Sequence, residues 1–474
     1  MLFNSLEFLI FLPIVFILYW FVFKELKNQN VLILVASYVF YGWWDWRFLS
    51  LILLSTIVDY SIGLQFKKTK QEGKKKYLLW GSLLFNLGVL GFFKYYNFFI
   101  ENWVEAWSSL GITMHKSSLN IILPVGISFY TFQTLSYTID VYRKKLEPTK
   151  NFVAFASFVS FFPQLVAGPI ERASNLLPQF YKKRVFNYEM AVSGLKLILW
   201  GLFKKVVIAD NCAVYVNDIF ANYHEQSGLT LIIGAVFFAF QIYGDFSGYS
   251  DIAIGTGRLF GFDLMRNFNY PYFSRDIAEF WRRWHISLST WFRDYLYIPI
   301  GGSRGNKWFQ LRNVFVIFLV SGFWHGANWT FVVWGGINAL LFLPLLLTKN
   351  NRVNLDVVAK QGIFPSVKEF FQMSLTFSFT TLAWIFFRAE NMSQAIHYLQ
   401  KIVVFNDFIP KVIRQKRMLP LLLFFILVEW FSRNEEVVFV FQSKFRYLFY
   451  LLCILMILYY SSASEKTSFI YFQF

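Results

Sequence analysis

WRRWHISLSTWFRDYLYIPIGG, residues 281–302, places arginine, histidine and aspartate among tryptophan and tyrosine in an otherwise apolar chain. The apolar residues here recur at the spacing of one helix face: Phe280, Trp284, Leu288, Trp291 and Tyr295. The polar residues fall on the opposite face: Arg282, His285, Ser289 and Arg293. The pattern therefore predicts one amphipathic helix with a histidine on its polar face.

A helix of this kind has an ordinary explanation, which is that it lies in the interface of a membrane. Its arginines then reach the headgroups and its tryptophans join the aromatic belt. This explanation gives no specific reason for His285, and histidine is the side chain best suited to proton transfer near neutral pH. His285 is therefore a candidate functional residue, with a surface role as the alternative.

The composition of the whole chain indicates a membrane protein. Hydrophobic residues make up 56% of the 474 residues and charged residues 15%, whereas soluble domains carry about 25% charge. Apolar runs near the length that crosses a bilayer recur, most plainly at Leu6–Phe23, Leu78–Ile100, Leu229–Tyr243 and Tyr447–Tyr460. We therefore predict an all-α polytopic membrane protein with about 11–12 transmembrane helices.

We predict a single integral-membrane domain over residues 1–474. It divides into N-terminal helices, a core that holds both His285 and His325, and C-terminal helices: 1–142, 143–347 and 348–474. Within the core, residues 151–181 are interrupted by Pro163, Gly168, Pro169 and Pro178. Non-helical backbone at membrane depth must be covered by protein or line a water-filled cavity, so this segment is expected to be re-entrant or interfacial.

The net charge of +17 would suggest nucleic-acid binding in a soluble protein. In a membrane protein, basic loops instead fix the topology, because they stay on the cytoplasmic side. The basic clusters are Lys67–Lys76, Arg143–Lys145, Lys182–Arg184 and Lys411–Arg417. We expect these clusters to face the cytoplasm and predict no nucleic-acid partner.

A second histidine, His325, lies in the apolar stretch SGFWHGANWTFVVWGG, residues 321–336. An ionisable side chain inside a membrane span is costly and marks a candidate site. Gly322 and Gly326 flank it and would let other backbone or a substrate approach closely. The alternatives are a core histidine satisfied by a neighbouring carbonyl and a span end that reaches water.

Two carboxylates, Asp245 and Asp251, occur in the stretch YGDFSGYSDIAIG. Either could orient a histidine, as carboxylates do in acyl-transfer triads. The sequence has no G-x-S-x-G motif, so covalent catalysis through serine is unsupported. The other histidines, His115, His224 and His397, lie in polar or mixed segments and are expected at the surface. The two cysteines are too far apart in sequence to form a metal site by themselves, and we predict none.

These motifs resemble the membrane-bound O-acyltransferase family, and most closely its bacterial branch of alginate and peptidoglycan O-acetylases. The most specific likeness is FWRRWHISLSTWFRDYLYIPIGG followed, 40 residues after its histidine, by WHG. Further runs in matching order are NVLILVASYVFYGWWDWRFL, LPVGISFYTFQTLSYTIDVYR, SFFPQLVAGPIER, YGDFSGYSDIAIG, NFNYPYFSRDIAEFW and the terminal FIYFQF. The resemblance covers nearly the full length, with fewer recognisable runs after His325.

The resemblance implies a fold and a reaction. The fold has re-entrant or interfacial helices around a central funnel. The reaction moves an acyl group, usually acetyl, from a cytoplasmic thioester to a hydroxyl on the other side of the membrane, with acetyl-CoA as the donor substrate. It places the general base at His325 and gives His285 a second role, either stabilising the developing oxyanion or positioning the donor.

The groups around the histidines also follow from the resemblance. Arg282, Arg283 and Arg293 are candidates to bind the phosphates of coenzyme A, because arginine makes bidentate phosphate contacts. Supporting roles are expected for Asp245, Asp251, Trp324 and Asn328. The expected acceptor is an extracytoplasmic polysaccharide, reached through a separate periplasmic or extracellular partner, and the expected location is the bacterial cytoplasmic membrane.

Other functions stay open at this stage. Within acyl transfer, the acceptor could be teichoic acid, with D-alanine as the acyl group, or a lipid. A different class would be a proton-coupled transporter or channel with His325 and Asp245 as a relay, although the repeat symmetry typical of transporters is not evident. A scaffold protein with vestigial chemistry would tolerate the loss of both histidines.

Overall fold

The computed structural model describes residues 1–114, 118–360, 362–404, 417–438, 445–463 and 469–470. His115, most of the basic cluster Lys411–Arg417 and residues 471–474 of the terminal motif lie outside these ranges. The described residues form helices and no strand, which confirms the predicted all-α class.

The α-helices follow one another along the chain with few long connections. They are α1 (Leu6–Ile17), α2 (Leu26–Asp45), α3 (Leu49–Lys68), α4 (Glu72–Leu90), α5 (Tyr96–Ser109), α6 (Ile127–Tyr142), α7 (Phe152–Ser160), α8 (Phe162–Leu165), α9 (Ala173–Leu176), α10 (Tyr188–Leu202), α11 (Asp210–Ala221), α12 (Gly228–Leu259), α13 (Ile277–Arg283), α14 (Ile286–Phe292), α15 (Lys307–His325), α16 (Trp329–Leu347), α17 (Val367–Arg388), α18 (Met392–Val403), α19 (Met418–Phe431) and α20 (Phe445–Ala463). Four π-helical segments extend or join them: Leu18–Val22, Gly91–Tyr95, Phe203–Ala209 and Arg293–Tyr297.

Several helical stretches are suited to a bilayer. Five of those described are long and apolar enough to cross one: Leu26–Lys68, Glu72–Ser109, Gly228–Leu259, Trp329–Leu347 and Val367–Arg388. Shorter apolar stretches are Leu6–Val22, Phe152–Leu165, Met418–Phe431 and Phe445–Ser461. The chain is therefore a multi-pass membrane protein, and the total of about 11–12 spans stays a prediction.

The chain folds into two compact units. The first consists of Met1–Ala191 and Thr256–Met265, and the second of Val192–Gly255 and Arg266–Phe474. The segment 151–181, predicted to be broken, lies in the first unit and forms only the short helices α7, α8 and α9 with one 3₁₀ turn. Both motif histidines lie in the second unit, which therefore holds the candidate site.

Glycines set the helix packing of the second unit. A Cβ atom at Gly201 would lie 2.5 Å from the carbonyl oxygen of Gly248, and one at Gly248 would lie 2.7 Å from that of Gly201. One at Gly255 would overlap the carbonyl of Gly194 in the same way. α10 and α12 therefore cross with their backbones in contact, as small residues allow between membrane helices.

Lys307–His325 and Trp329–Leu347 form the helical hairpin of α15 and α16. A Cβ at Gly322 of α15 would overlap the carbonyl of Phe331, and one at Gly335 of α16 would overlap that of Phe318. These contacts leave no room for side chains between the two helices. Because His325 lies one turn beyond Gly322, the same packing fixes its place.

Candidate functional site

The predicted single amphipathic helix is wrong, because the chain breaks at His285. α13 ends at Arg283, and α14 begins at Ile286. Between them Trp284 is extended, with φ −99° and ψ 128°. His285 takes the left-handed conformation with φ 44° and ψ 54°, which is uncommon for residues other than glycine. The predicted apolar face is nevertheless buried at four of its five positions.

Asn267, on the segment before α13, stabilises this break. Its backbone carbonyl accepts a hydrogen bond from the amide of Ile286 at 2.8 Å. Its side-chain Oδ1 accepts a second from the amide of Ser287 at 3.3 Å. The first amides of a helix have no partner within it, and His285 provides no side-chain cap for α14. Asn267 therefore caps the helix from another part of the chain.

The same asparagine contacts the His285 ring. Nδ1 of His285 lies 3.1 Å from Oδ1 of Asn267. Nε2 is buried and has no hydrogen-bond partner among the residues that the structure describes. The ring packs edge-on against Phe246, with 4.6 Å between ring centres, and stacks more loosely on Phe268 at 6.3 Å. One side of the imidazole is thus held by a polar group and its faces by aromatic rings.

His325 is the last residue of α15 and is also buried. Its ring centre lies 5.2 Å from that of Trp334 and 5.3 Å from that of Phe387, with both rings edge-on. The ring centres of His325 and His285 are 6.4 Å apart. The fold therefore brings the two predicted histidines, 40 residues apart in sequence, into one aromatic enclosure.

The predicted supporting residues of the WHG motif have different positions. Trp324 lies beside both histidines, with ring-centre distances of 5.0 Å to His325 and 6.2 Å to His285. Asn328 caps α16, where its Oδ1 accepts a hydrogen bond from the amide of Thr330 at 3.0 Å. Trp324 therefore forms part of the enclosure, whereas Asn328 fixes the start of the next helix.

The two carboxylates predicted as candidates to orient a histidine are paired with lysines. Asp245 lies 2.8 Å from the ammonium of Lys205, and Asp251 lies 2.9 Å from that of Lys204. Both lysines are buried. The group hydrogen-bonded to His285 is instead the neutral amide of Asn267.

The three predicted phosphate-binding arginines point to different places. The guanidinium of Arg283 is buried and donates to Glu279 at 2.8 Å. That of Arg282 donates to the backbone carbonyls of residues 351 and 354 at 2.8 and 2.7 Å. Arg293 is exposed and pairs with Asp294 at 2.7 Å. Of the three, Arg293 borders the cavity formed by α13 to α16.

That cavity has a volume of about 260 Å³. One of its wall residues, Trp281, packs against Trp334, which in turn contacts His325. Its apolar walls come from α13 to α16: Trp281, Leu288, Phe292, Val314, Ile317, Phe318, Phe342 and Leu346. Two exposed arginines, Arg293 and Arg352, border it and mark its solvent edge. Ser321, which lies one turn before His325 on α15, also lines the cavity. The cavity is thus mostly apolar, with two exposed cations on its border.

An ion-pair cluster stabilises the approach to α13. Arg275 pairs with Glu279 at 3.0 Å and with Asp356 of the loop after α16 at 3.1 Å. The hydrogen bond from this guanidinium holds the pKa of Asp356 below its ordinary value. The pair between buried Arg275 and exposed Asp356 ties the loop that carries Arg352 to the start of α13.

Several residues of the site were missed in the sequence. Asn267 lies in the quoted run NFNYPYF, where it has no feature that distinguishes it from other polar residues. Arg352 follows the end of α16, and only its position on the border of the cavity indicates a role for it. Lys204 and Lys205 did carry a signal, because two adjacent ionisable residues interrupt an apolar run. His224 and His397 are exposed, as predicted.

The sequence profile of the membrane-bound O-acyltransferase family matches residues 33–352. This match covers more than half of the chain and includes both histidines, and the protein belongs to this family. It is a multi-pass membrane O-acyltransferase, which agrees with the resemblance seen in its motifs.

Two of the relatives match most of the chain, and a third matches about half of it. A probable alginate O-acetylase of Pseudomonas aeruginosa is 41% identical over 398 residues, 83% of this chain and 73% of that protein. A peptidoglycan O-acetyltransferase of Helicobacter pylori is 37% identical over 436 residues, 86% of this chain and 80% of that protein. A teichoic acid D-alanyltransferase of Bacillus subtilis is 28% identical over 239 residues, 48% of this chain and 60% of that protein.

Proposed function

We propose that this protein moves an acetyl group from cytoplasmic acetyl-CoA for the O-acetylation of an extracytoplasmic polysaccharide, and that it works in the bacterial cytoplasmic membrane. The observation that carries the proposal is the arrangement of the second unit. Two buried histidines have ring centres 6.4 Å apart. A largely apolar cavity with two exposed arginines on its border connects to them through Trp281, which packs on Trp334, a neighbour of His325. Acetyl-CoA suits this arrangement, because its phosphates can bind the arginines and its small acetyl group can enter apolar surroundings.

The chemistry requires little from the protein beyond placement and proton transfer. A thioester is already activated, so the protein needs to hold the reactants, exclude water and remove one proton. The hydroxyl oxygen attacks the carbonyl carbon while its proton passes to His325 as general base. The C–S bond then breaks, and the coenzyme A thiolate leaves and takes up the proton from the histidine. A positioned base of this kind accelerates such a step by roughly 10²–10⁴-fold.

We assign recognition of the acetyl-CoA phosphates to the two arginines on the border of the cavity. The guanidinium groups of Arg293 and Arg352 are exposed, so they can turn towards phosphate groups without leaving a buried partner uncompensated. Arg282 and Arg283 are less suited, because their donors are already used by backbone carbonyls and by Glu279. Arg293→Ala and Arg352→Ala should each raise KM for acetyl-CoA by about tenfold with kcat little changed, since each removes one charge-assisted contact.

The acceptor is inferred from the relatives. Those near 40% identity over most of the chain are named for alginate and peptidoglycan acetylation, whereas the D-alanyltransferase matches less than half of it. Acetylation of an envelope or secreted polysaccharide is therefore favoured over D-alanylation of teichoic acid or acylation of a lipid. A separate extracytoplasmic acetyltransferase would receive the acyl group and complete the transfer.

The test is the O-acetyl ester content of the host's envelope polysaccharides. Cells with the native chain are compared with cells carrying His325→Ala at matched membrane levels, and His397→Ala serves as the control because that histidine is exposed. We expect ester to disappear from one polymer in the His325→Ala cells alone. Ester unchanged on every polymer, with the native chain present, would overturn the proposal and favour a transport or scaffold function.

A further inference from the structure

The orientation of the Asn267 side chain is determined by the backbone. One of its two terminal atoms faces the amide N–H of Ser287 at 3.3 Å. An amide N–H can only donate, so the facing atom must be the carbonyl oxygen Oδ1 and not the amide nitrogen. The other atom, Nδ2, lies 3.0 Å from the hydroxyl of Ser250 and donates to it. The flipped orientation would place two donors against each other.

The orientation of Asn267 in turn determines the proton position on His285. Nδ1 of His285 lies 3.1 Å from the same Oδ1, and an oxygen with no hydrogen can only accept. Nδ1 must therefore carry the proton. In the neutral ring the other nitrogen, Nε2, then has a lone pair and no hydrogen. Nε2 is also the buried ring atom that lacks a partner among the described residues.

We infer that Asn267 is a positioning residue that fixes His285 as a hydrogen-bond acceptor through Nε2 for an N–H or O–H group of a bound substrate. The inference rests on the proposed function only for the identity of that substrate. Two donors have the required chemistry, the amide N–H beside the thioester of coenzyme A and the hydroxyl of the acceptor. The left-handed backbone at His285 and the capping of α14 by Asn267 keep the imidazole ring next to the side-chain amide of Asn267.

This inference separates the two roles that the family resemblance implied for His285. Stabilising an oxyanion requires a donor, because the negative oxygen accepts hydrogen bonds. A neutral imidazole protonated at Nδ1 and bonded to Asn267 has no second proton to donate. The geometry therefore favours the positioning role, with His325 left to act as the base.

The proton position can be measured without any turnover. Full-length protein carrying nitrogen-15 histidine is reconstituted in lipid nanodiscs, and the resonances of His285 are assigned by their loss in His285→Ala. The expected spectrum shows a protonated Nδ1 and an unprotonated Nε2. In Asn267→Ala we expect a mixture of both tautomers. A native His285 protonated at Nε2 would overturn the inference and would leave the proposed acyl transfer untouched.

Kinetics then connect the asparagine with the reaction. Asn267→Ala should lower kcat/KM by about tenfold, the value of one hydrogen bond. Asn267→Asp keeps an accepting oxygen against Nδ1 and should restore most of this loss. It should also move the acid limb of the pH–rate profile to higher pH, because a carboxylate stabilises protonated imidazole. A merely structural role would give no such shift.

The control is Asn313→Ala, which removes another buried asparagine, one that donates to the carbonyl of Gly302 at 2.8 Å. Equal losses in the Asn313 and Asn267 variants, with no rescue by aspartate, would contradict the positioning role. A rise confined to KM for acetyl-CoA in Asn267→Ala would identify the thioester amide as the donor to Nε2. A rise confined to the acceptor's KM would identify the hydroxyl.

Discussion

The two histidines of the site lie in opposite kinds of local structure. His325 ends the regular helix α15 and is held by aromatic rings and by the close contact of α15 with α16. His285 lies in a break between two seven-residue helices, in a left-handed conformation, and is held by a hydrogen bond to Asn267.

This difference suggests a division of labour. His325 lies at a helix end among aromatic rings, and a general base there must gain and lose a proton during the reaction. A ring whose Nδ1 is tied to an amide keeps one tautomer, which suits the recognition of a fixed donor. We therefore expect the two positions to respond differently to the same substitutions.

The largest effect is expected from removing the base. His325→Ala should lower kcat for acetyl transfer by about 10²–10⁴-fold, whereas His285→Ala should lower it by only about tenfold. The measurement is single-turnover transfer from radiolabelled acetyl-CoA by purified protein with its partner present. Folding is checked for both variants by thermal unfolding in detergent.

The reverse order of the two losses would assign the base to His285. Equal, large losses would mean that the histidines act as one unit, because the effects of such residues are not additive. Either result would contradict the proposal that His325 acts as the base and His285 positions a substrate.

The structure around His325 could be predicted from sequence because its signals are local. An ionisable residue in an apolar run is unusual, and Gly322 beside it signals close packing of backbone. The break between α15 and α16 falls at Gly326–Asn328, where glycine and a capping asparagine are both visible. The apolar composition and the glycines that interrupt it are local signals of two helices.

The structure around His285 could not be predicted in this way. The apolar residues keep helical spacing through the break, and neither glycine nor proline stands at residues 284 and 285. The break is stabilised by Asn267, whose backbone and side-chain carbonyls accept hydrogen bonds from the first amides of α14. A contact between residues 18 positions apart has no periodic signature, so the burial was predicted correctly and the helix was not.

The second prediction concerns the packing that holds His325. Gly322→Ala would push a methyl group into the carbonyl of Phe331, so α15 and α16 must separate. We expect a loss of about 1–3 kcal/mol in stability and a fall in kcat, because His325 moves with α15. The measurements are the unfolding midpoint in detergent and the rate of acetyl transfer.

A matched control lies on the partner helix. A Cβ at Gly336 would meet only the side chain of Leu319, at 3.8 Å, so Gly336→Ala should leave both quantities nearly unchanged. If the two variants behave alike, the position of His325 does not depend on the glycine contact.

The smallest expected effect concerns the backbone conformation at each histidine. It is measured as the difference in stability between the glycine and the alanine variant at that position. Both replacements remove the imidazole, so the difference between them isolates the backbone conformation. At residue 285 the φ of 44° favours glycine, and His285→Gly should be more stable than His285→Ala by about 1 kcal/mol. At residue 325 the backbone is helical, so His325→Gly should be less stable than His325→Ala by about 0.5–1 kcal/mol. Thermal unfolding of the four variants in one detergent gives both differences. The opposite signs are the decisive feature, because a general loss of packing would lower stability in the same order at both positions.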